Sequence, residues 1–155
     1  MQLTNIARDV VEDARMGRRY LPGSWVGNMS PEDIVDAALD PYGPDGVQIT
    51  RAVERLLDLA ESYYASGRAG LAYLPARAHF SIGVAAKVYR QIGRQLLRSK
   101  DSWHGKRQVT SKGSKMLCTV RATANLARRL PLARRPHNTE LHTWLKPYMH
   151  HGGGW

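Results

Sequence analysis

Apolar side chains in this chain return every three or four residues and almost never on alternate ones. That period confines the chain to packed helices. A helix turns by about 100° per residue, and only such spacing gives it one face to bury. Residues 2–16 set the pattern, with Leu3, Ile6, Ala7, Val10, Val11 and Ala14 at helical intervals. Gly17 is a natural stop, and the run from Gly17 to Gly23, with Pro22 inside it, reads as a loop. A short helix is expected from Ser30-Pro-Glu-Asp33, where Ser30 can cap, Pro31 suits the first turn and the acids favour the positive end of the dipole. It should stop near the turn-rich run Asp40 to Gly46. A longer amphipathic helix follows over Gln48 to Ser66, burying Val53, Leu56, Leu57, Ala60 and Tyr64 and broken by Gly67 to Gly70.

Beyond Leu74-Pro75 another helix runs to Ser99, with Val84, Val88, Ile92 and Leu96 spaced by four. Residues 100–112 read as a loop, and a last helix spans Gly113 to Arg129 with Leu117, Val120, Ala124 and Ala127 inward. Residues 131–155, rich in Pro, His and Gly, read as a loosely ordered tail. The expected class is all-α, about five helices, with no internal repeat. The first helix has no capping pattern and begins at Met1 as though the chain had been cut inside it.

Length and composition narrow the function. The 155 residues suit one domain or part of one, and 43% hydrophobic against 23% charged residues excludes wholesale disorder. A single cysteine, Cys118, rules out an internal disulfide; set among Met116, Leu117 and Val120, it reads as a buried thiol. The longest uncharged stretch, Tyr20 to Pro31, has 12 residues and two prolines, too short to span a bilayer. Asp9, Glu12 and Asp13 near the start are unlike a secretory signal, so a cytoplasmic protein is expected.

The net charge of +10 is unevenly spread. Residues 1–86 carry 8 Lys/Arg against 11 Asp/Glu, whereas residues 87–135 carry 14 against Asp101 alone. Lys87, Arg90, Arg94 and Arg98 share one arc of the helix after Pro75. That arc reads as a solvated face or as a peripheral contact with anionic membrane. Aromatics are not interleaved with these charges as base stacking requires, so nucleic acid is not an expected partner. His150-His151 and the pair His137 and His142 lie in the tail without the spacing of a zinc site. Tyr63, Tyr64 and Tyr73 read as core aromatics.

On an unbroken first helix, Gln2, Asn5, Asp9 and Asp13 fall within an arc of roughly 80° that borders the apolar face. An amide oxygen and two carboxylates one turn apart form a hard-oxygen edge suited to Mg²⁺, which takes one or two carboxylates with water and substrate phosphate. Arg8 beside them can meet a phosphate directly. The plainer alternative is a solvated acidic face with Arg8 and Glu12 as an i,i+4 pair.

The residues themselves sharpen the choice. Gln2-Leu-Thr-Asn-Ile-Ala-Arg-Asp-Val-Val-Glu-Asp13, followed by Gly17-Arg-Arg-Tyr-Leu-Pro22, resembles the second aspartate-rich motif of the squalene/phytoene synthase family. Tyr63-Tyr-Ala-Ser-Gly-Arg-Ala-Gly-Leu71, Leu74-Pro-Ala-Arg77, Val88-Tyr-Arg-Gln-Ile-Gly93 and Val109-Thr-Ser-Lys-Gly-Ser-Lys115 resemble later segments of that family, in order. The resemblance covers residues 1–130 and is nearest the phytoene-forming members.

It implies an all-α isoprenoid-synthase bundle that joins two prenyl diphosphates head to head through a cyclopropyl intermediate. Geranylgeranyl diphosphate is the foremost substrate and carotenoid synthesis the setting. Mg²⁺, with Mn²⁺ as the alternative, is the implied cofactor, held between two aspartate-rich motifs on facing helices. Carried over by position, Asn5, Asp9 and Asp13 are metal-binding, Asp9 and Asp13 catalytic, and Gln2, Arg8 and Tyr89 substrate-binding.

The family's first aspartate-rich motif has no counterpart here. Glu32-Asp33-Ile-Val-Asp36 sits just after the second motif and reads as helix-start acids. Residues 1–130 are therefore expected to be the C-terminal half of a family domain, truncated at the N-terminus and inactive alone, with a separate N-terminal half as a partner. The alternative from another class is a non-catalytic basic helical module that binds membrane or a partner protein.

Overall fold

The computed structural model describes residues 1–99 and 103–105, with Glu140 and Thr143 beyond them. The helix expected over 113–129, Cys118 and the tail histidines lie outside the described residues, as does most of the loop expected over 100–112. The described chain is all-α: α1 (Gln2–Arg8), α2 (Val10–Arg15), α3 (Pro31–Ala37), α4 (Pro44–Gly70) and α5 (Ala76–Arg98), with single 3₁₀ turns at Gly23–Trp25 and Leu71–Tyr73. Among the described residues the four helices expected as far as Ser99 appear as five, because the first is divided in two.

The division falls at Asp9, whose torsions (φ −106°, ψ 19°) leave the helical region. Its amide still donates to the Asn5 carbonyl at 2.9 Å, and its carbonyl still accepts from Asp13 at 2.8 Å, so the interruption is local. Helix α2 ends as the sequence predicts. Gly17 takes φ +70°, its amide donates to the Ala14 carbonyl and that of Arg18 to the Asp13 carbonyl, forming a Schellman close. Helix α3 opens with a reciprocal capping box: the Asp33 amide donates to Ser30 Oγ and the Ser30 amide to Asp33 Oδ2.

Helix α4 is longer than expected at both ends. It begins at Pro44, whose fixed φ suits the first helical position, and takes in Gly46 and Val47. At the other end it runs through Gly67 to Gly70, where a break was expected. A helical glycine costs only about 1 kcal/mol relative to alanine, too little to end a helix of 27 residues.

Packing follows the apolar period. Helix α1 lies against α4 and α5, α2 against α3, and α4 against α5. All five α4 positions expected inward, Val53, Leu56, Leu57, Ala60 and Tyr64, are buried. Of the α5 positions expected inward, Ile92 and Leu96 are buried, while Val84 and Val88 are half-buried. Of the three tyrosines expected in the core, Tyr64 is buried and Tyr63 half-buried, but Tyr73 is 64% exposed because it sits in the 3₁₀ turn between α4 and α5. Trp103, just past α5, is seated in the core at 2% exposure, and its indole N–H donates to Thr50 Oγ1 on α4 at 2.9 Å. Among the described residues no helix is long and apolar enough to cross a membrane.

Candidate functional site

The acidic edge is positioned by a threonine. Thr4, one residue before Asn5, is a polar residue buried in the core, at 1% exposure. Its hydroxyl lies 2.8 Å from the Tyr64 hydroxyl of α4, 60 residues along the chain. Gly93 of α5 makes room for it: a Cβ there would stand 3.2 Å from Leu57 Cδ2 and 3.5 Å from Thr4 Cγ2. Three helices therefore close on Thr4. The pair makes α1's rotation specific, since a buried hydroxyl without a partner is costly. Burial raises the pKa of the Tyr64 hydroxyl, and the bond with Thr4 opposes that rise.

From that anchor the predicted residues can be placed in turn. Gln2 is exposed at the start of α1. Asn5 is half-buried, and its Oδ1 is fully buried with no hydrogen-bond partner. Arg8, in the last turn of α1, forms a two-pronged pair with its neighbour: Nε donates to Asp9 Oδ1 and an Nη to Oδ2, each at 2.7 Å. Both side chains are largely covered, at 13% and 17% exposure. The fork with Asp9 holds the Arg8 guanidinium above its ordinary pKa, with Tyr89 and Glu12 adding at longer range. The strong partner of Arg8 is thus Asp9, in place of the Arg8–Glu12 pairing weighed from spacing.

Asp13 is half-buried one turn further on. Burial lifts its carboxyl above the usual carboxylate range, the Asp9 charge lifts it further, and Arg18 pulls it back. Tyr89 comes from α5, is half-buried against the core, and stands within electrostatic range of both Arg8 and Tyr64. The fold thus gathers Asn5, Arg8, Asp9, Asp13 and Tyr89 on the α1–α2 edge and leaves Gln2 at its open end.

The donor set fits a hard cation. It has two carboxylates one turn apart and a buried amide oxygen that lacks a donor. Among the described residues no three His, Cys, Asp or Glu side chains cluster closely enough to hold a metal by themselves. A cation on this edge therefore relies on Asn5 and on oxygens brought by water or ligand, which is how Mg²⁺ is usually held.

The space beside the edge is small. Asp13 lines a crevice of about 10 Å³ with Ile6, Val10, Arg18, Tyr20 and Ile34, room for a single water. The larger cleft, about 330 Å³, lies between α4 and the end of α5, under Tyr42, Val47, Leu97 and His104. None of the predicted site residues lines it.

The basic arc on α5, expected as a solvated face or a membrane contact, is partly engaged by α4. Arg90 forms a fork with Glu61 of α4, with contacts of 2.8 Å from Nε, and Arg94 Nε lies 3.8 Å from the same carboxylate. The fork with Arg90 holds the Glu61 carboxyl below the usual range. Arg98 is exposed and Lys87 half-buried. Two of the four cations thus bind α5 to α4.

Over its described residues the chain is all-α, and its opening helices carry an amide, two carboxylates and an arginine along one edge. This chain belongs to the squalene/phytoene synthase family, whose sequence profile matches residues 1–114. It is similar to a 15-cis-phytoene synthase of Paracoccus sp. (strain N81106 / MBIC 01143), 45% identical over 74% of this chain and 36% of the relative. It is also similar to a phytoene synthase of Pseudescherichia vulneris, 40% identical over 82% of this chain and 40% of the relative. A 15-cis-phytoene synthase of Enterobacter agglomerans is 35% identical over 94% of this chain and 48% of the relative. The chain thus spans less than half the length of these relatives. No solved structure gives a significant match.

Proposed function

We propose that this chain forms the second aspartate-rich side of a phytoene synthase-type prenyltransferase, which condenses two prenyl diphosphates head to head, geranylgeranyl diphosphate foremost, for carotenoid synthesis. The observation that carries the reading is the oxygen edge of Asn5, Asp9 and Asp13, half-buried and joined by Arg8, on a chain whose similar relatives are phytoene synthases. In this reading Asn5, Asp9 and Asp13 hold Mg²⁺, or Mn²⁺ in its place. A cation held by these residues would supply Lewis acidity toward the charge of a leaving pyrophosphate.

The chain's own residues do the rest. Arg8 supplies a planar set of donors for phosphate oxygens, and Gln2, exposed at the open end of α1, adds an amide where a ligand enters. Tyr89, half-buried against the core and within electrostatic range of Arg8, would meet the substrate on that side. The apolar wall for two prenyl tails needs more helix than the crevice at Asp13 provides, so turnover calls for the remainder of the family's length, on the same polypeptide or on a second chain. By itself this chain is expected to be inert.

Peripheral membrane contact through Lys87, Arg90, Arg94 and Arg98 has less to stand on now that Arg90 and Arg94 turn to Glu61, and no observation favours a non-catalytic module. The test is Asp9→Ala in the enzyme assembled to family length. Turnover of geranylgeranyl diphosphate is expected to vanish while the helical circular dichroism persists, and an unchanged rate refutes the reading.

A further inference from the structure

Helix α1 has seven residues and cannot hold its place alone, so its contacts with α4 and α5 decide how it lies. Its buried residues are Thr4 and Ala7. Ala7 offers only a methyl, which packs nearly as well when the helix turns or slides a little. Thr4 is gripped on two sides. Its hydroxyl lies 2.8 Å from the Tyr64 hydroxyl of α4, and its methyl faces Gly93 of α5, where an added Cβ would stand 3.5 Å away. A bond between hydroxyls is directional and confined to about 2.7–2.8 Å, so it pins the rotation and the height of α1 together. Asn5 is the next residue and Asp9 caps the same helix, so the placement of both follows from where Thr4 is held.

Asn5 Oδ1 shows what the pin maintains. It is fully buried and accepts no hydrogen bond. A buried acceptor in that state is unfavourable, and a short helix free to turn would carry it toward a donor or toward water. The contact between Thr4 and Tyr64 opposes that relaxation. We propose that Tyr64, through its hydroxyl contact with Thr4, is a positioning residue for the cation edge: it fixes α1 so that the Asn5 oxygen stays unengaged and available to a divalent cation. The inference rests on the functional reading above and adds to it a residue 60 positions from Thr4, on another helix, that by sequence is a core aromatic.

The role is read from Mn²⁺ affinity, measured by electron paramagnetic resonance on the 155-residue chain well below each variant's melting midpoint. Asp13→Asn marks the site, because it should remove the binding that belongs to the edge. Tyr64→Phe and Thr4→Val each keep the side chain's shape and lack one hydroxyl. Each should weaken the Asp13-dependent binding roughly tenfold, the lower end of what losing a group that orients a metal ligand costs. The double variant should lose no more than either single one, since both remove the same bond. Thr4→Ser keeps the hydroxyl and should bind nearly as wild type does, and the contrast of serine with valine carries the test should Tyr64→Phe fold poorly. Trp103→Phe loosens the core beside Thr50, near the start of α4, and should leave Mn²⁺ affinity unchanged. If wild type binds Mn²⁺ in an Asp13-dependent manner and the Tyr64 and Thr4 variants bind it no more weakly than Trp103→Phe does, the positioning role is refuted and the metal reading stands. If Mn²⁺ binding is absent or indifferent to Asp13, both fall together.

Discussion

Removing the Trp103 side chain tests whether the segment beyond α5 is fastened to the helical core. The indole is almost wholly buried, its N–H donates to Thr50 Oγ1, and its ring meets that of His104 edge-on at 5.4 Å. Truncating a buried tryptophan to alanine costs about 3–5 kcal/mol in lost transfer and cavity. Against a total stability of about 5–15 kcal/mol that is a large share. For a chain of this size each kcal/mol moves the midpoint by about 2–4 °C, so Trp103→Ala should melt roughly 6–20 °C earlier. Trp103→Phe separates packing from hydrogen bonding. Thr50 Oγ1 also donates to the Gly46 carbonyl at 2.9 Å, so losing the indole leaves it one bond short rather than unpaired. The phenylalanine variant should therefore lose only about 1–2 kcal/mol. Urea unfolding followed by far-ultraviolet circular dichroism gives both values. An alanine variant within about 1 kcal/mol of wild type would mean that Trp103 does not close the core in solution.

Three further outcomes follow from particular contacts. Tyr64→Phe and Thr4→Val each strand a buried hydroxyl and should cost about 1–3 kcal/mol, yet the double variant should cost little more than either, because no polar group is then left alone; additive losses in chemical denaturation would refute the pairing. Glu61 has its pKa lowered by Arg90, so its contribution is present above the ordinary carboxyl value of 4.5 and disappears as pH falls through its lower folded value. Glu61→Gln should accordingly cost about 0.2–1 kcal/mol at pH 7, a difference that shrinks as pH falls below 4.5 and is gone once Glu61 is protonated in the folded chain, read from melting across that range. Ser30→Ala removes one arm of the α3 capping box and should cost about 1 kcal/mol in urea, a loss that Ser30→Asp restores.

Legibility in the sequence tracked how local each feature is. The capping box at Ser30 and the Schellman close at Gly17 are made within a few residues, and both formed as the pattern foretold. The five inward positions of α4 followed from period alone. Its ends did not, because the cost of Gly67 and Gly70 is decided by the helix around them and not by glycine itself. The acidic edge was readable as chemistry on one strip of chain, whereas the bend at Asp9 and its capture by Arg8 depend on torsions that no spacing rule contains. Thr4 and Tyr64 are 60 residues apart, so neither could announce the other. Lys87 to Arg98 read as an outward arc because α5 was considered alone; Glu61 on α4 claims two of its members.

Helices α1 and α2 have seven and six residues, each too short to persist in water without support, for which about 12–15 are needed. Their shape is on loan from what they pack against, α1 from the long pair α4 and α5 and α2 from α3. Gentle warming should accordingly loosen this ledge while α4 and α5 still hold, so that the cation binding proposed for it would fade before the helical signal does.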